Sequence, residues 1–145
     1  MKAIVINPVE RKIFEVEVSP KNLLKQLYKL LTNNSGVTCD LVQPVDIDTR
    51  NTLWLDEEGA LKRSPTFSFG PQLLCGAGVI LGYSPSSGSS ASTSWTVADV
   101  ERHVSWDDRV STGKLTRGRE VEAPPGYDFA YMGGRPLFEV LTSDK

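Results

Sequence analysis

At 145 residues the chain is long enough for one domain with a core of its own, without disulfide or metal staples. Its 39% hydrophobic and 23% charged content excludes a disordered chain, and a net charge of −2 provides no global positive field to draw it to nucleic acid.

Lys2 to Asn7 reads as a strand, because Ala3, Ile4, Val5 and Ile6 are apolar and mostly β-branched. This run is too short for a secretory signal and meets Pro8 and charge. No segment approaches the ~20 apolar residues of a membrane span, so a soluble, intracellular protein with no membrane partner is expected. Ile13 to Val18 alternates with period two and completes a hairpin. Ser19-Pro20 predicts a helix start, serine as cap and proline at the first helical position. Leu23, Leu24, Leu27, Leu30 and Leu31 form its apolar stripe. Lys21, Lys25 and Lys29 line the opposite side, and Asn33-Asn34-Ser35-Gly36 ends the helix.

Val37 to Val45 predicts a third strand, with Pro44 marking an edge or a bulge. Thr52 to Leu55 is a fourth, running into the acidic turn Asp56-Glu57-Glu58-Gly59, and residues 60–72 read as irregular. Val79-Ile80-Leu81 is apolar on both sides, which predicts a central strand. Residues 84–94 hold seven serines in eleven positions and read as a flexible loop. At Trp95 to Val100 a short second helix is expected, with Thr96 and Asp99 as a capping box and Trp95 and Val100 as a hydrophobic staple.

After Asp108 the composition turns basic, with Arg109, Lys114, Arg117 and Arg119, until Ala123-Pro124-Pro125-Gly126 interrupts it. Tyr127 to Tyr131 and Leu137 to Leu141 read as two strands around Gly133-Gly134, an appended hairpin or arm. The expected fold is α+β: a small, mainly antiparallel sheet packed on one long helix, with a second short helix and a C-terminal β-arm. The domain is placed at residues 1–108 and the extension at 109–145.

Six candidate chemistries follow. Cys75-Gly76-Ala77-Gly78 is not a phosphate loop, since no Lys-Ser/Thr follows and the glycines precede a strand rather than a helix; they predict a tight turn or close backbone approach. Cys75 as nucleophile needs a base, and His103 is the sole histidine. Two cysteines and one histidine without local spacing make a poor zinc set. Asp46, Asp48, Asp56, Glu57 and Glu58 are carboxylates near strand ends that a hard cation could use, against the ordinary alternative of solvated turns. Lys21, Lys25 and Lys29, with Arg117 and Arg119, are the candidate phosphate-contacting residues, against the alternative of a solvated helix face. The aromatics Tyr127, Phe129, Tyr131 and Phe138 on the arm suit a subunit or partner interface. No catalytic residue, metal site or cofactor is assigned.

MKAIVINP, the leucine helix, LWLDEEGALK, PQLLCGAGVILGY and TVADVERHVSW occur in that order over about residues 1–108. The order resembles a family of small proteins, a domain of unknown function carried by tailed phages and mobile elements. Its members show an MKAI-x-I-DP opening, a D-[DE]-EG turn, a PL-x-G-x-G strand and a threonine-capped helix. Asn7 stands here where that pattern has aspartate, Cys75 where alanine is common, and the serine loop and tail are additions. The resemblance implies a phage or prophage origin and carries no catalytic residues. The expected function is therefore non-catalytic binding: an accessory protein in the host cytoplasm that binds or inhibits a host factor, such as a defence protein or its nucleotide signal, the partner being a host or phage protein or a small nucleotide ligand. It is expected to form a homo-oligomer through the arm. Nucleic-acid binding and a small metal-dependent enzyme built on the strand-end carboxylates are the alternatives.

Overall fold

The computed structural model describes residues 1–115 and 138–141. The chain order is β1 (Lys2–Asn7), β2 (Lys12–Glu17), α1 (Leu23–Ser35), β3 (Val42–Asp48), β4 (Asn51–Asp56), β5 (Pro65–Phe69), β6 (Gln72–Cys75), β7 (Gly78–Ser84), β8 (Ser89–Ala91), α2 (Val97–Glu101), β9 (Val104–Leu115) and β10 (Phe138–Leu141), with a 3-10 turn at Gly59–Leu61. The fold is α+β and mainly antiparallel, as the sequence implies. It holds two sheets rather than one. The first runs β2-β1-β7-β4-β3, with β8 continuing beside β7, and the second runs β10-β9-β5-β6.

The apolar run at Val79-Ile80-Leu81 lies in β7, central between β1 and β4 as expected. Its alternate side chains serve two cores. Val79 and Leu81 join Ala3, Val5, Leu27 and Leu31 on the α1 side. Ile80 joins Ile4, Ile6, Leu53, Leu55, Phe67 and Val100 on the other, where the second sheet and α2 pack. The order of layers is thus α1, first sheet, second sheet.

Four expectations need correction. The helix has 13 residues and is not a long one, and it starts at Leu23 rather than at Ser19-Pro20. Asn22 takes a left-handed conformation (φ 56°) with no side-chain cap. The Gln26 amide ties this entry turn instead, donating to the Ser19 and Lys21 carbonyls at 2.9 and 2.8 Å and accepting from the Ser19 N–H. Residues 60–72 are not irregular, for β5 and the start of β6 lie there. Within the serine-rich segment, Ser89–Ala91 pairs with β7 in a hairpin, and Thr93 is buried. Lastly, β9 runs continuously through the boundary expected at residue 108. Ser111 is fully buried in it, accepting from the Ser64 N–H and donating to the Gly59 and Lys62 carbonyls. The capping box of α2 is present as read: Thr96 accepts from the Asp99 N–H, and Asp99 accepts from the Thr96 N–H.

Candidate binding clefts around Tyr83

The glycines of the Cys75–Gly78 turn serve packing, as their place before a strand implies. Gly76 (φ 95°) carries the chain from one sheet to the other, and its N–H donates to the Pro65 carbonyl at 2.7 Å. A side chain at Gly78 would come within 2.9 Å of Leu53 and 3.3 Å of Phe67, so any larger residue would force the Leu53 side chain to shift in the core. Cys75 is buried, and burial, together with the negative charge of Asp56, pushes its thiol up to about 12. The same two causes push the buried Cys39 thiol up to about 11. His103 lies stacked on Phe69 (5.5 Å between centroids) and tilted against Trp95 (4.9 Å), with Nδ1 2.9 Å from the Asp99 carbonyl. A carbonyl only accepts, so Nδ1 carries the hydrogen.

The carboxylates divide into separate structural roles. Asp56 pairs with Lys62 at 2.9 Å and accepts from the Glu58 N–H, closing the acidic turn. Lys62 also donates to the Thr38 carbonyl at 2.7 Å. Burial alone would lower the Lys62 ammonium, and the hydrogen bond and charge of Asp56 outweigh it and raise it. Asp48 binds Trp95 Nε1 at 2.8 Å, the Arg50 N–H at 2.7 Å and the Asn51 amide at 3.0 Å. Partial burial works to raise its carboxyl, and these hydrogen bonds prevail and lower it. Among the described residues no group of three His, Cys, Asp or Glu side chains could hold a metal ion.

Lys25 and Lys29 are exposed on α1, away from Leu27 and Leu31, and Lys21 is exposed in the turn before the helix. Arg117, Arg119, Tyr127, Phe129 and Tyr131 lie outside the described residues. Phe138 opens β10, with its backbone opposite Leu115.

Two concave surfaces lie at the end of β7, on residues that sequence reading mostly passed over, Asp46 and Asp48 being the exceptions. Asn51 organises them from a buried position, 1% exposed. Its amide nitrogen donates to Asp48 and to Ser94 Oγ at 3.0 Å, and its oxygen accepts from Thr93 Oγ1 at 2.6 Å and the Ser94 N–H at 3.2 Å. This fixes the return strand beside the β3–β4 turn. Gly82 permits the close approach: a Cβ there would lie 2.1 Å from the Ser92 carbonyl oxygen. Two clefts share Tyr83, which is 42% exposed. One, about 400 Å³, is lined by Arg50, the serines at 84, 86, 92 and 94, Pro85 and Ala91. The other, about 440 Å³, is lined by Pro44, Asp46, Asp48, Thr49, Trp54, Gly88 and Ser90. The Trp54 indole N–H is buried with no acceptor among the described residues.

A family model, a domain of unknown function (DUF3846), matches residues 1–105. The chain belongs to the DUF3846 family. The DUF3846 match takes in both clefts in full and ends two residues into β9. No curated protein and no solved structure matches the chain.

Arg50, Tyr83 and the serines carried no motif. The one signal in sequence was composition: seven serines clustered at the end of a central apolar strand, with Tyr83 at the joint. A serine tract reads equally well as a linker, and only the pairing with β7 makes it a wall.

Proposed function

We propose that this DUF3846 chain is a non-catalytic binding protein. The observation that carries the reading is a division of labour in the structure. Both thiols are buried and held protonated, and the clefts are lined by hydroxyls, one guanidinium, carboxylates and aromatic rings. A protonated, buried thiol is a poor nucleophile, whereas a surface of this kind recognises a ligand by hydrogen bonds and ring contact. The order of sequence motifs supports a phage or mobile-element origin and a role in the host cytoplasm against a host factor, a protein or a nucleotide signal.

The test is mass balance. The purified chain, incubated with a bacterial metabolite extract, is expected to deplete a ligand from the free pool and return it unaltered on denaturation. Recovery as a product of different mass would overturn the reading.

The reading extends to self-association through the C-terminal arm, supported by the aromatic content of Tyr127, Phe129, Tyr131 and Phe138. Because Ser111 is part of the core, truncation at residue 109 would damage the fold itself. Replacing Tyr127, Phe129 and Tyr131 together by serine is the cleaner variant. Light scattering is expected to show a lower mass for it than for the parent chain, and equal masses would exclude the arm as the interface.

A further inference from the structure

The two clefts that share Tyr83 differ in chemistry. Asp46 and Asp48 line the larger one, which would repel an anion. No carboxylate lines the smaller one. The Arg50 guanidinium in it has no partner among the described residues. Ser92 Oγ accepts from the Lys2 N–H at 2.8 Å, and Ser94 Oγ accepts from the Asn51 amide at 3.0 Å. Each oxygen is thereby fixed in place, and neither hydroxyl hydrogen has an acceptor among the described residues. A guanidinium and two oriented hydroxyls with no acceptor of their own form a donor set, and a donor set selects an oxyanion. The planar guanidinium fork matches phosphate in particular. Tyr83 then sets the second requirement. It lines this cleft and the next, and its hydroxyl lies about 4.0 Å from where a Cβ of Gly88 would stand, so the ring lies along the hairpin with much of its surface free.

We propose that the Arg50 cleft binds the phosphate of a small phosphorylated ligand whose ring packs on Tyr83, a nucleoside monophosphate being the simplest member of that class. The inference rests on the binding-protein reading above and names the ligand class for it. Arg50 supplies the charge, Ser92 and Ser94 the fixed donors, and Tyr83 the ring contact. The neighbouring carboxylates keep the phosphate on the Arg50 side.

The test uses the full chain with adenosine monophosphate, inorganic phosphate and adenosine, titrated by calorimetry and followed by phosphorus NMR. Adenosine monophosphate is expected to bind more tightly than inorganic phosphate, and adenosine alone more weakly than either. Arg50→Ala is expected to weaken adenosine monophosphate by about tenfold or more, the scale of hydrogen bonds to a charged group. Tyr83→Leu should weaken adenosine monophosphate and leave inorganic phosphate unchanged, which separates ring contact from phosphate contact in a second folded variant. Asp46→Asn, in the other cleft, should not weaken the phosphate probes. Absence of saturable binding into the millimolar range, or affinity indifferent to Arg50→Ala, overturns the proposal. So does adenosine monophosphate affinity lost on replacing Lys21, Lys25 and Lys29 by alanine, which would move the site to α1. Hydrolysis of the probe, seen as a new phosphorus resonance, would instead overturn the non-catalytic reading, so the two failures are distinguishable.

Discussion

Replacing Phe67 by alanine is expected to lower the unfolding free energy by about 3–5 kcal/mol. Phe67 is fully buried in β5, in the second sheet, and packs among Ile4, Ile6, Leu53, Leu55 and Ile80 of the first. Its ring tip reaches the backbone of β7, close enough that any side chain at Gly78 would touch it. Truncation leaves a cavity at the contact between the sheets, where neither can move in without breaking its own ladder. Most domains hold only about 5–15 kcal/mol, so the variant should unfold at far lower urea with the denaturant slope retained. Leu24→Ala, at a leucine 50% exposed on α1, is the comparison and should stay within about 0.5 kcal/mol of the parent. If the second sheet were only an attached arm, the two variants would cost the same.

The sequence made most of the first sheet legible, β8 excepted, and hid most of the second, where it placed only β10. β1, β2, β4 and β7 announce themselves through β-branched runs or alternation, and the continuous apolar stretch of β7 forecast its central place correctly. β5 is Pro-Thr-Phe-Ser-Phe, five residues opened by proline, and β6 is Gln-Leu-Leu-Cys, four residues ending at a glycine turn. Strands this short hold their shape by pairing with distant partners, Phe67 with Trp106 and with Leu74, and local pattern carries no trace of that. Similarly, α2 was readable because its capping box is local, whereas the α1 entry was misread because the Ser19 hydroxyl caps only the turn before the helix, at the Lys21 N–H, and Gln26, seven residues on, ties that turn to the helix. The clefts follow the same rule. Arg50 meets Ser92 and Ser94 only because Asn51, a residue with no distinguishing context, bridges some forty positions of chain from a buried site. The candidates that sequence did offer, Lys21, Lys25 and Lys29, were visible because periodicity is local, and the structure leaves them exposed, Lys25 and Lys29 on α1 and Lys21 in the turn before it.

Alkaline pH is expected to destabilise the fold through its two thiols. An ordinary cysteine ionises near 9, while Cys39 and Cys75 in the folded chain are held up at about 11 and about 12. Between those limits the unfolded chain releases two protons that the folded chain keeps, so stability falls as pH rises. At pH 10 each thiol contributes on the order of 1 kcal/mol to the loss, a few kcal/mol together. Urea unfolding at pH 7 and pH 10 should show that difference for the parent chain. The Cys39→Ala/Cys75→Ala variant should lose correspondingly less between the same two pH values, whatever its absolute stability. Lys62 works in the same direction, since its raised ammonium stabilises the fold until pH climbs past its ordinary value. The part of that contribution that comes from Asp56 is common to both proteins in the comparison, and the smaller part that comes from the Cys39 charge is lost with the thiol. An equal pH slope in the two would mean that the thiols ionise in the folded state as freely as in water, which requires them to be solvated. The functional argument turns on the same quantity. A thiol that keeps its proton to about 12 supplies essentially no thiolate at neutral pH, so the native chain should react with a thiol-specific disulfide reagent only at the rate at which it opens. Prompt labelling of the folded protein at pH 7 would return Cys75 to the nucleophile that its place in the Gly-x-Gly turn first raised, and with it the enzymatic alternative.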